Sequence, residues 1–140
     1  LSEMSEVVAI KEASGDITQV AENFQLCGDR MTIFSGDDTL TLPILSIGGK
    51  GVVSVISNLL PDKMVELCRA WQEGQTARAL SIHKNLLPLF QTLFMEPNPI
   101  PIKTAMKMKG LIQTPEVRLP MCNMSEAGHN KLSQVIQQLD

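Results

Sequence analysis

Apolar residues recur along this chain at two spacings, and the switches between them predict its elements. Val7-Val8-Ala9-Ile10 is apolar on both alternating sides and runs straight into Lys11. Val7, Ala9 and Lys11 share one side of a strand, and Val8 and Ile10 share the other. Such a run predicts a parallel strand covered on both faces, with a lysine at its end. Asp16 then offers an N-cap, and Ile17, Val20, Ala21 and Phe24 repeat at helical spacing until Gly28.

The pattern starts again at once. Residues 31–34 form a short β-rich run that ends in Ser35-Gly36-Asp37-Asp38. Residues 39–47 read as a helix with Pro43 in its first turn, closed by Gly48-Gly49-Lys50-Gly51. Residues 52–56 read as a third strand, followed by Ser57-Asn58. Pro61 opens a further helix with Met64, Val65, Leu67, Cys68 and Trp71 as its apolar positions. Successive strand–helix units imply parallel strands with right-handed crossovers. Their close spacing suits a (β/α)8 barrel better than an open doubly wound sheet, and a whole barrel takes about 250 residues.

From Thr76 onward the strand pattern stops. Residues 79–94 form a long amphipathic stretch in which Pro88 is expected to introduce a kink. Residues 96–101 read as an extended loop, because residues before proline avoid the helical region. Residues 102–111 can be helical, 114–123 are irregular, and Ser125 can cap a last helix carrying Leu132, Val135, Ile136 and Leu139 on one face. The expected organisation is three strand–helix units over residues 1–75 and an all-helical extension over 76–140.

Composition narrows the function classes. The chain has 140 residues, 44% of them hydrophobic, and a formal charge of −3, as expected for one soluble domain. This mild acidity offers no basic footprint for nucleic acid. No apolar run is long enough to span a bilayer. Cys27, Cys68 and Cys122 are far apart and lack metal-ligand spacing, so they read as reduced thiols of a cytoplasmic protein. His83 and His129 have no ligand partner one turn away and read as helix-surface residues.

Lys11 carries the candidate chemistry. An ammonium in an apolar site is disfavoured, and a neutral lysine amine can attack a ketone or aldehyde to form a Schiff base. A strand-end lysine can also simply extend into water. In order, Ile10-Lys11-Glu12-Ala13-Ser14-Gly15-Asp16, Ser35-Gly36-Asp37-Asp38, Gly48-Gly49-Lys50-Gly51-Val52-Val53-Ser54-Val55 and Glu96-Pro97-Asn98-Pro99-Ile100-Pro101-Ile102-Lys103 resemble the second half of the dihydrodipicolinate synthase family. Arg118-Leu119-Pro120 also looks like that family, which is similar to the class I pyruvate aldolases.

The resemblance implies strands six to eight of a (β/α)8 barrel followed by a helical extension. It implies condensation of pyruvate with aspartate semialdehyde on the route to lysine and diaminopimelate, with no metal or organic cofactor, in a homotetramer built as a dimer of dimers. Lys11 matches the Schiff-base lysine. Val53 matches a residue whose main-chain carbonyl lies beside bound pyruvate. Gly36 and Asp37 match pocket positions after the seventh strand, and Asn98 matches a position near the entry of the second substrate. Each also has a plainer reading. Gly36 can serve the turn, Asp37 can cap the next helix, Val53 is core, and Asn98 can hold the proline loop.

The chain also departs from the family. The first five strands have no counterpart here, and neither do a threonine-rich carboxylate-binding motif, two tyrosines of a proton relay and a substrate-binding arginine. The chain holds no tyrosine at all. It is therefore expected to be a segment of a longer protein and inactive alone. A sister aldolase resembling N-acetylneuraminate lyase, or a half-barrel with a purely structural role, are the alternatives.

Overall fold

The computed structural model describes residues 1–139; Asp140, the last residue of the expected extension, lies outside the described residues. Strands β1 (Ala9–Glu12), β2 (Thr32–Ser35) and β3 (Gly51–Val52) form one sheet in chain order, and both pairings are parallel. Helices α1 (Ile17–Cys27) and α2 (Thr41–Ser46) fill the two connections. Helices α3 (Pro61–Gln72), α4 (Thr76–Thr92), α5 (Ile100–Met108) and α6 (Glu126–Gln137) complete the chain.

Local chemistry accounts for most of the element starts. Asp16 Oδ1 accepts from the Thr18 and Gln19 N–H groups at 2.8 and 3.4 Å, which satisfies two of the free donors that open α1. Pro61 is the first residue of α3, where its missing N–H costs nothing. Ser125 Oγ accepts from Gly128 N at 3.0 Å and caps α6.

Several boundaries differ from the sequence pattern, most of them by one to three residues, and α2 is shorter than expected at Thr41–Ser46. The third strand ends after Val52, and Ile56–Asn58 forms a 3₁₀ turn where a strand was expected. The Asp38 carboxylate takes the Val55 and Ile56 N–H groups and so bends the chain out of the sheet. Helix α5 starts at Ile100, not at 102, because Pro101 sits within the first turn, where a missing donor is tolerated. Helix α4 starts at Thr76 and continues through Pro88, and the Thr92 hydroxyl donates to the Pro88 carbonyl at 2.7 Å. Leu86, Leu89 and Phe90 are buried on this helix, which holds it in place across the proline. Gly28 ends α1 in a right-handed conformation (φ −61°), with its N–H on the Phe24 carbonyl.

Two apolar clusters hold the chain together. A small one joins Val20, Ile33 and Ile44, with Ile10, Phe24 and Leu40 packed against it. It lies where α1 and α2 cover the sheet face bearing Ile10 and Ile33. Among the described residues the main cluster has twelve buried members, including Ile56, Met64, Leu89, Phe90, Ile102 and Leu132. At about 1.5–3 kcal/mol per fully buried large side chain, the helical part dominates the stability.

The expectation of a first strand buried on both faces does not hold in this chain. Val8 is 69% exposed and Lys11 is exposed, whereas Glu12 is 5% exposed. The strand pairing places Lys11, Phe34 and Gly51 in one row across the sheet, on the face opposite Ile10 and Ile33. His83 also differs from its surface reading. It is half-buried, its ring centroid lies 5.6 Å from that of Phe90, and its buried Nδ1 has no partner among the described residues. Burial lowers its pKa. Among the described residues, no helix is long and apolar enough to cross a membrane.

Candidate active site

Three strand ends meet at one edge of the sheet, and each carries part of the candidate site. Strand alternation puts neighbouring side chains on opposite faces. At the end of β1 this sends Glu12 inward beneath the sheet and Lys11 outward into the open. The Glu12 carboxylate accepts from Ser14 N at 2.7 Å, Asn23 Nδ2 at 2.6 Å and Gln19 Nε2 at 3.4 Å. Hydrogen bonding by the Ser14 side chain, then by its main chain, Gln19 and Asn23, holds the Glu12 carboxyl below its usual range, against the opposing effect of burial. The loop after Lys11 and the helix that follows are thus tied to one anion beneath the strand.

Gly36 lies against that lysine. A Cβ built on it would stand 2.9 Å from Lys11 Cε, 2.5 Å from Ala13 Cβ and 3.1 Å from the Glu12 carbonyl oxygen. The absence of a side chain here makes room for the lysine stem. Its N–H donates to the Glu12 carbonyl at 2.6 Å, extending the β1–β2 pairing past the last paired residues. The next residue, Asp37, is turned away into its own loop. Its Oδ1 accepts from Thr39 N at 2.7 Å and Thr39 Oγ1 at 2.6 Å, so it organises the entry to α2. Its carbonyl accepts from Ser35 Oγ at 2.6 Å.

Val53 follows β3 and is 48% exposed, so its reading as a core residue is corrected. Its N–H donates to the Ser35 carbonyl at 2.7 Å, which brings its main chain to the end of β2 beside Gly36. The structure therefore gathers Lys11, Gly36 and the Val53 main chain along one edge. Asn98 stands apart from them. It is exposed on the loop before α5, and no hydrogen bond joins it to these strand ends among the described residues. Glu96 anchors that loop, accepting from Ser125 Oγ at 2.6 Å and Ser125 N at 3.2 Å. A side chain at Gly128 would collide with this carboxylate.

The family model for the dihydrodipicolinate synthetase family matches residues 1–139. The chain belongs to that family. Relatives named 4-hydroxy-tetrahydrodipicolinate synthase agree with the assignment. That of Thermodesulfovibrio yellowstonii is 47% identical over 137 residues, covering 98% of this chain and 47% of its own length. That of Clostridium tetani is 51% identical over 128 residues, covering 91% of this chain and 43% of its own length. The crystal structure of dihydrodipicolinate synthase from Aquifex aeolicus matches with a TM-score of 0.93 at 43% identity, over 99% of this chain and 47% of that one. The chain spans about half the length of the curated relatives it matches.

The sequence pattern gave no role to three carboxylates that tie the strand ends and the proline loop: Glu12, Asp38 and Glu96. All three lie inside matched motifs, and strict alternation from Lys11 already places Glu12 on the inward face. Asp38 and Glu96 gave no such signal, because their partners lie 17 and 29 residues away in sequence. No group of three or more His, Cys, Asp or Glu residues able to hold a metal is found among the described residues. Cys27, Cys68 and Cys122 are free, and burial pushes the Cys68 thiol pKa up.

Proposed function

We propose that this chain is the C-terminal part of a 4-hydroxy-tetrahydrodipicolinate synthase, condensing pyruvate with aspartate semialdehyde through a Schiff base at Lys11. The observation that carries this reading is the amine at the C-terminal end of a parallel strand, with a glycine making room for its stem. In parallel α/β folds that end of the sheet is where ligands bind. On this reading residues 1–75 are the last three units of a (β/α)8 barrel, and residues 76–140 are a helical extension packed on them. Two open edges support it. One is the outer side of β1, the first strand in the sheet order, and the other is a groove of about 420 Å³ along β3, lined by Phe34, Val52, Met64 and Val65 among others.

The chemistry follows from the amine. Lys11 Nζ adds to the pyruvate ketone, and loss of water leaves an imine. Removal of a proton from the pyruvate methyl group gives an enamine, whose carbon attacks the aldehyde carbon of the second substrate. Ring closure by the amino group of that substrate releases Lys11. Gly36 leaves space for the lysine, the Val53 carbonyl lies beside the bound pyruvate, Asp37 borders the pocket through the loop it organises after β2, and Asn98, apart from the strand ends, belongs to the entry of the second substrate. The acid–base partners of these proton transfers belong to the rest of the barrel. The protein proposed is a cytoplasmic homotetramer, a dimer of dimers, without a metal or organic cofactor.

Borohydride trapping tests the reading. The full-length protein is reduced in the presence of pyruvate and digested, and the peptides are weighed. One reduced pyruvate on the peptide containing Lys11, and none on a Lys11→Arg variant, is the expected result. No adduct on the folded wild-type protein overturns it. An adduct together with turnover of N-acetylneuraminate, and none with aspartate semialdehyde, would move the assignment to a sister aldolase.

A further inference from the structure

Asp38 is 1% exposed, and with Glu12 it makes up the buried acids among the described residues. It lies just past the end of β2. Its Oδ2 accepts from Val55 N and Ile56 N, each at 3.0 Å, across to the turn that follows β3. Its Oδ1 is buried and has no partner among the described residues. Neither ion pair among those residues involves it.

Resting on the functional reading above, we infer that Asp38 is a positioning residue that holds the Val53 carbonyl in place beside the pyruvate end of the Lys11 site. Val53 is clamped from both sides. Its own N–H is held by the Ser35 carbonyl at 2.7 Å, and two residues later Val55 N is held by Asp38. The peptide group that contains the Val53 carbonyl lies between these ties, so its orientation follows theirs. A turn of this kind needs only a neutral oxygen from Ser, Thr or Asn. A buried acid with one oxygen left unpaired is costlier to desolvate than such a neutral side chain, and both of its main-chain bonds, made by a single oxygen, tie Val55 and Ile56 to one point. The same ties seat Ile56 in the helical cluster, so Asp38 fixes the Val53 peptide relative to both the end of β2 and that cluster.

The test uses the full-length protein with Asp38→Asn and, separately, Val55→Pro. The first keeps an acceptor and removes the charge. The second deletes one donor at a residue whose φ of −83° lies a few degrees beyond the range proline adopts, at the start of a 3₁₀ turn where a missing N–H is otherwise tolerated. Steady-state kinetics in both substrates, borohydride trapping at saturating pyruvate and thermal unfolding are measured. For both variants the KM for pyruvate should rise roughly tenfold while the KM for the aldehyde stays put. Trapping at saturating pyruvate should remain at the wild-type extent. An unchanged KM for pyruvate in folded variants overturns the inference. So does a joint fall of both substrates' kinetics and of trapping in proportion to folded protein, or unfolding of both variants, since each marks a purely structural role. Absence of a pyruvate adduct on the wild type sinks the functional reading itself, and the role of Asp38 with it.

Discussion

Gly36→Ala puts the contact between strand ends under direct strain. The added methyl group would meet Ala13 Cβ at 2.5 Å, Lys11 Cε at 2.9 Å and the Glu12 carbonyl oxygen at 3.1 Å. The Glu12 carbonyl is fixed by its bond to Gly36 N, so it cannot retreat without breaking that bond. Ala13 Cβ can retreat only with its main chain, which the Glu12 carboxylate ties down at Ser14 N, so Lys11 Cε, near the end of a flexible chain, is the atom free to yield. Overpacking of this kind costs about 1–3 kcal/mol, while the stiffer unfolded chain returns about 0.4–1 kcal/mol. The net loss is roughly 1–2 kcal/mol, a fall of a few degrees in the unfolding midpoint. The larger effect falls on chemistry. A reacting group displaced by about 1 Å can lose on the order of 100-fold in rate. The assay is the rate of borohydride trapping by pyruvate in the full-length protein, with the unfolding midpoint read alongside. A Gly36→Ala protein that traps pyruvate at the wild-type rate would refute the idea that this glycine makes room for Lys11.

Three further outcomes are expected. Glu12→Gln should cost about 1.5–3 kcal/mol at neutral pH, because donors that now meet an anion would meet a neutral amide. The lowered pKa of Glu12 means that its contribution is full above 4.5, its ordinary value, and is lost as pH falls through the folded value, so unfolding followed against pH should lose part of its acid dependence in this variant. Lowering of the His83 pKa by burial means that the unfolded chain gains a proton first as pH drops below 6.5, so stability should fall there, and His83→Gln should blunt that fall in thermal melts. Phe90→Ala should destabilise by about 3–5 kcal/mol in denaturant unfolding, since the ring is fully buried in the main cluster.

How much of this was legible beforehand depended on the range of the interactions. The N-caps at Asp16 and Ser125, the proline at the start of α3 and the alternation of strands and helices over the first units are local matters. Dihedral preferences and one or two nearby hydrogen bonds settle them, so the sequence alone determined the order of elements and placed Lys11 at a strand end. Its motifs also pointed to the family. The tertiary structure decided the rest. The third strand stops after Val52 because a carboxylate 17 residues earlier captures the Val55 N–H. Helix α4 survives Pro88 because Leu86, Leu89 and Phe90 are buried, which no local propensity records. The faces of β1 read as equally buried from their apolar run, yet only one has helices packed on it within this chain. Which apolar residue is covered depends on elements that come together across the fold, and alternation along a strand carries no information about what lies above it.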